Sequence, residues 1–207
     1  MALEYASCWA LASLAFVSSI TPGPNNFMLM ASGMRYGLPR TLPHLFGVTV
    51  GFALLLLFAD LTLGFASAHI AHLAPVLAVA CALYLVWLAV KLLRAPLPSA
   101  AAQTQPDAQR PMSTMAAMAF QWVNPKAWTM VIAGATMAQQ FELSTVPRAA
   151  LLLLIFSAIN LPCVLVWAAA GSQMRRLLTQ PGFARLFNVT MAAALVATAA
   201  WMVLPAT

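Results

Sequence analysis

The chain has 207 residues, of which 63% are hydrophobic and 7% charged, and a net charge of +6. Soluble domains carry about a quarter charged residues, so this ratio excludes a water-soluble monomer: there are too few polar side chains to cover an outer surface. The ten Lys and Arg residues are scattered without a basic stripe or aromatic interleaving, which argues against a nucleic-acid partner and for a lipid bilayer.

Charge-free windows cover 5–34, 41–59, 61–90, 149–174 and 186–207, and 111–141 holds Lys126 alone. Each can supply the roughly 20 apolar residues of a membrane-spanning helix. The expected fold is therefore an all-α integral membrane protein of about six transmembrane helices, at 5–34, 43–67, 73–93, 112–139, 146–172 and 183–204.

The first span reads as a retained helix rather than a secretory signal. It carries Glu4 in place of a basic leader, and no small-x-small cleavage pattern precedes Thr21-Pro22. Its regular helix cannot continue through Thr21-Pro22-Gly23-Pro24-Asn25-Asn26, because each proline removes a backbone donor and clashes with the preceding turn. Backbone freed in hydrocarbon must pair within protein or face a watery cavity, so the break should point inward. The chain can restart with Pro24 near its first helical position, and the exposed amides of that new end suit an anion.

The second span holds Asp60, the only acid inside a predicted span, near its outer end. Ionisable groups in membranes face a cavity or a partner, so Asp60 is a candidate coupling residue, for a proton or for a substrate ammonium. His44, His69 and His72 fall at span ends or in a short loop and suit interfacial hydrogen bonds. Cys8, Cys81 and Cys163 lie in three different spans without a CxxC and read as small buried residues. The Pro-, Ala-, Gln- and Ser-rich stretch 95–111 is the expected linker.

The fourth span is interrupted at Asn124-Pro125. Asn124 can cap the half-helix that follows, Pro125 suits its first position and Lys126 adds a full positive charge, so a carboxylate is the expected guest. The plainer alternative makes both prolines simple kinks and lets Lys126 snorkel to an interface. Trp9, Trp87, Trp128, Trp167 and Trp201 anchor at interfaces or pack between helices. Ala192, Ala193, Ala194 and Ala197 in the last span could line a contact within the subunit or in a homo-oligomer.

With six crossings, one side of the membrane receives Arg35, Arg40, Lys91, Arg94, Arg110, Arg175, Arg176 and Arg185, and the other only Arg148. Positive loops stay in the cytoplasm, which puts both termini outside. The linker divides a single transporter domain, 1–207, into halves 1–94 and 112–207. Three spans each forces the halves into inverted orientation, the first helix of each being broken by Pro.

Four blocks carry a resemblance: Thr21-Pro22-Gly23-Pro24-Asn25, Gly47-Val48-Thr49-Val50-Gly51, Tyr84-Leu85-Val86-Trp87-Leu88-Ala89-Val90-Lys91, and Gln121-Trp122-Val123-Asn124-Pro125-Lys126-Ala127. Together, in this order, they resemble the LysE/RhtB family of amino-acid exporters over nearly the whole chain. The resemblance implies a secondary active exporter, not an enzyme, of the bacterial inner (plasma) membrane. It would move amino acids or close derivatives out of the cytoplasm on the proton gradient, without cofactor or metal. The first and third blocks look most similar to the branch exporting cysteine and O-acetylserine, then to homoserine and threonine exporters. One departure is Ala80-Cys81-Ala82, where the family usually has Gly before the Tyr-Leu block.

On this reading the two broken helices meet in alternating access around a substrate carboxylate. Thr21, Asn25, Asn26, Asn124 and Lys126 bind it, while Pro22, Gly23, Pro24 and Pro125 shape the backbone. Two rivals are weaker. Metal-cation efflux wants clustered carboxylates, imidazoles or thiolates, and the spans offer one Asp. A membrane thiol oxidoreductase, suggested by Pro162-Cys163, needs a second thiol at about 6 Å between Cα atoms. Hydrolase and ATP-binding motifs are absent from the sequence.

Overall fold

Prolines decide where the first span stops being helical. In the computed structural model, which describes residues 2–94, 110–174 and 180–203, α1 (Ala2–Ile20) ends just ahead of Pro22 and α2 (Pro24–Tyr36) begins on Pro24. Gly23 between them is fully extended, and the two helix axes diverge by 49°. Most of the expected linker 95–111 and the pair Arg175-Arg176 lie outside the described residues, as do the side chains of His69 and His72.

The same chemistry recurs a hundred residues on. Ser113 caps α4 (Thr114–Val123), accepting from the Ala116 amide at 3.2 Å. Asn124 then leaves helical geometry and caps α5 (Pro125–Ala138), its Oδ1 accepting from the Lys126 amide at 3.2 Å. Two long helices complete the described residues, α6 (Thr145–Met174) and α7 (Pro181–Val203). No strand occurs among them.

The expected loop between spans 43–67 and 73–93 is absent. A single helical run, α3 (Leu38–Leu93), covers both and contains Pro43 and Pro75. It cannot be straight. Leu45 packs in one cluster with Leu29, and Leu92 in another with Met30, so both ends of the run converge on neighbouring residues of α2. Along a straight helix those ends would stand about 70 Å apart at ~1.5 Å per residue. The run therefore doubles back between Leu45 and Leu92.

Three helices are long and apolar enough to cross a membrane alone, Leu38–Thr62, Thr145–Met174 and Gly182–Val203, and the bent pair Tyr5–Ile20 with Pro24–Tyr36 makes a fourth candidate. The described chain is thus an all-helical, multi-pass membrane protein. Ala78–Leu93 is apolar but shorter, and α4 and α5 reach that length only as a broken pair.

Close backbone approach fixes the helices that frame the two breaks. A Cβ on Gly33 would strike the Ala168 carbonyl of α6, and one on Gly171 of α6 would strike the Met30 carbonyl of α2, so the two glycines let α2 and α6 touch reciprocally. On α3, Gly47 and Gly51 form a GxxxG pair against Thr114 and Met118 of α4. Ala192 of α7 packs inside the subunit with Cys81 and Leu85 of α3, whereas Ala193 and Ala197 face outward.

Gly171→Val should force α6 away from Met30 and lower the melting temperature of the detergent-solubilised protein by several degrees. Substituting Gly182, which has open space around it, should leave that temperature unchanged.

Candidate functional site

A helix that ends inside a protein leaves its last carbonyls without partners, and each must find a donor. At the end of α1 the donors come from four places. The Thr21 amide and hydroxyl take Val17 O and Ser18 O at 3.1 Å each. Asn26 Nδ2, from α2, donates to Ser19 O at 2.7 Å and Thr21 O at 2.8 Å. The Trp167 indole of α6 donates to Ile20 O at 3.1 Å.

Lys126, from α5, supplies the rest. Its ammonium donates to Thr21 O, Thr21 Oγ1 and Pro22 O at 2.8, 2.9 and 3.1 Å, matching three N–H donors to three oxygens. The residue is 8% exposed, so it does not snorkel to an interface. The negative end of the α1 dipole faces it, which favours the cation there. Gly23 makes this possible, because a Cβ at that position would sit 2.6 Å from Lys126 Cδ.

The sequence-predicted residues thus converge, with roles the sequence did not reveal. Gly23, Pro24, Asn25, Asn26, Asn124 and Lys126 line one polar cavity of about 20 Å³, room for a single water. Asn25 pairs reciprocally with Gln121 of α4, Nδ2 to Oε1 at 2.7 Å and Nε2 to Oδ1 at 3.2 Å, tying the first break to the second. Gly51 leaves the space through which the Gln121 side chain passes. At the second break Trp128 Nε1 donates to Trp122 O at 2.9 Å, satisfying a carbonyl that the interruption frees. The start of α2 has no side-chain cap on its Gly23 N-cap, so its first amides stay available beside the cavity. A larger space of about 250 Å³, lined mainly by apolar groups of α1, α5 and α7, lies behind Lys126, Ser18 and Met130, which wall both.

Asp60 lies elsewhere. It is 1% exposed and its carboxylate accepts from Arg148 Nε at 3.1 Å and Nη2 at 3.3 Å, joining α3 to the start of α6. It is not among the residues lining the polar cavity. Sequence reasoning also passed over Gln121, Ser19 and Asn160, buried polar groups in windows defined by the absence of charge. A neutral amide in such a window was the available signal, since hydrocarbon penalises an unpaired amide too, though less than a charge. Among the described residues no three His, Cys, Asp or Glu side chains gather as a metal site, and Cys8, Cys81 and Cys163 are free thiols.

With this geometry, comparison with known proteins is informative. The LysE type translocator family matches residues 16–205. The chain belongs to that family. A cysteine/O-acetylserine efflux protein of Escherichia coli strain K12 is 30% identical to it over 189 residues, covering 87% of this chain and 89% of the relative. Its counterpart in Escherichia coli O1:K1 / APEC is 31% identical over the same shares, and that of Shigella flexneri serotype 5b (strain 8401) 30%. No solved structure matches.

Neutralising one partner of the buried ion pair strands the other charge, which costs about 3 kcal/mol. Asp60→Asn or Arg148→Gln should each lower the melting temperature, and the double variant should recover most of the loss in the same thermal scan.

Proposed function

We propose that this chain is a secondary active exporter of small amino acids or close derivatives, coupled to the proton gradient across the bacterial inner membrane. The observation that carries the reading is the Lys126 ammonium, buried where the two helix breaks meet. Family membership and the names of the relatives supply the chemical class, with cysteine and O-acetylserine the first substrates to test.

In this mechanism an incoming carboxylate takes up the Lys126 ammonium and the uncapped amides at the start of α2. The carboxylate displaces the Thr21 and Pro22 oxygens from the ammonium. Asn26 keeps the carbonyls of α1 paired while Lys126 turns, and Asn124 holds the start of α5 in place. Asn25 with Gln121 carries motion from one break to the other. The cavity as it stands is too small for an amino acid, so this structure corresponds to a collapsed site that opens toward one side at a time. Asp60 is the candidate coupling residue: it ties α3 to the start of α6 through Arg148, so parting that pair loosens the two helices.

The architecture that goes with this reading is one domain, 1–207, of six crossings in two inverted halves, with both termini outside the cytoplasm. Ala78–Leu93 and the α4–α5 pair provide the two further crossings. A homo-oligomer through the outward face of α7 is compatible with it.

Lys126→Met should insert and fold yet reduce efflux of L-cysteine and O-acetyl-L-serine from loaded cells to the level of cells without the protein. Efflux at the normal rate from Lys126→Met would remove the basis of the mechanism. Thr21→Val, which deletes one of three acceptors, should lower the rate by a smaller factor.

A further inference from the structure

Asn160 lies midway along α6, two residues before Pro162, and is 5% exposed. It lines the polar cavity together with Lys126 and Asn26. Its Nδ2 donates to Ser19 Oγ at 3.0 Å, which sets the plane of the amide, and its Oδ1 has no partner. Among the described residues the only other buried side-chain atom in this condition is His44 Nδ1, which does not line that cavity. A buried amide oxygen without a donor is rare in native proteins and calls for an explanation.

Several other acceptors around the cavity are engaged. Ser19 O and Thr21 O hold Asn26, Thr21 Oγ1 and Pro22 O hold Lys126, Asn124 Oδ1 holds the Lys126 amide, and Asn25 Oδ1 holds Gln121. Among the described residues, Asn160 Oδ1 is the one fully buried side-chain acceptor lining the cavity that has no donor. Building on the amino-acid export reading, we infer that Asn160 accepts the substrate's α-ammonium group while Lys126 takes its carboxylate.

A neutral amide suits this position better than an acid. A carboxylate in the same cavity would draw the Lys126 ammonium to itself and compete with the substrate's own carboxylate. An amide oxygen receives an ammonium without that rivalry. Ser19 serves as a positioning residue, since its hydroxyl keeps Nδ2 turned away and leaves Oδ1 facing the guest.

The test uses the full chain in proteoliposomes. Counterflow is measured for L-cysteine, O-acetyl-L-serine, L-homoserine and L-threonine, and the best-moved substrate competes against its analogue bearing hydrogen in place of the α-amino group. Wild-type protein should prefer the amino acid about tenfold or more, the worth of a hydrogen bond to a charged group. Asn160→Leu should erase that preference by weakening the amino acid about tenfold while the deaminated analogue competes as before. Asn160→Ser, whose hydroxyl is too short to reach, gives the same readout should the leucine variant not fold. Ser19→Ala should shift the preference in the same direction by less. A variant that keeps the preference, or that weakens both ligands equally, overturns the assignment of Asn160 and leaves the export reading standing. Wild-type protein that moves none of the four substrates overturns both.

Discussion

Six consecutive carbonyls at the end of α1, from Val17 to Pro22, face the interior of an apolar bundle where water is scarce, and the arrangement around the site follows from pairing them. Thr21 supplies two donors from within the break, but the rest must come from other elements: Asn26 of α2, Trp167 of α6 and Lys126 of α5. In hydrocarbon each unpaired carbonyl would cost several kcal/mol. Interrupting one helix therefore commits three others to particular positions, and the second break must lie close enough for Lys126 to reach the first.

Close packing then sorts the helices around that junction. Gly33 and Gly171 place α2 against α6 with backbone touching backbone, and Gly47 with Gly51 does the same for α3 and α4. Larger side chains at these four positions would hold the helices apart and take Gln121 out of reach of Asn25. The Asp60–Arg148 pair closes the opposite end of the α3–α6 contact. Polar chemistry gathers at the centre, at that end and around Ser32, Thr41 and His44 near the start of α3, and the faces between are filled by Leu, Val, Ala and Phe.

Much of this layout was legible in the sequence. Pro22 and Pro24 announce the first break because they bracket a glycine, and Pro125 the second because a capping Asn124 precedes it, whereas Pro43 and Pro162 lie within continuing helices; the start of α2 on Pro24 and the Asn124 cap of α5 follow from local preferences that operate within a few residues. The two spans expected at 43–67 and 73–93 fall within one helical run, Leu38–Leu93, whose ends converge on α2. Local composition does not encode how far a helix bends before it breaks. The partners of Asn25 and Asp60 were likewise out of reach, since Gln121 and Arg148 lie 96 and 88 residues away in the chain. Asn160 escaped because scanning for missing charge treats an amide as if it were apolar.

Lys126 is a brace and, on the proposed reading, also a lure. The same three hydrogens that stitch α5 to Thr21 and Pro22 are those an anionic cargo would demand, and they cannot serve both in full. Occupancy and unfastening are in that sense one thermodynamic event: a guest attractive enough to recruit the ammonium unties the knot between the interrupted segments as it settles. A rigid receptor for the same molecule would gain nothing from such a conflict, whereas a machine that must let go on the far side is built upon it.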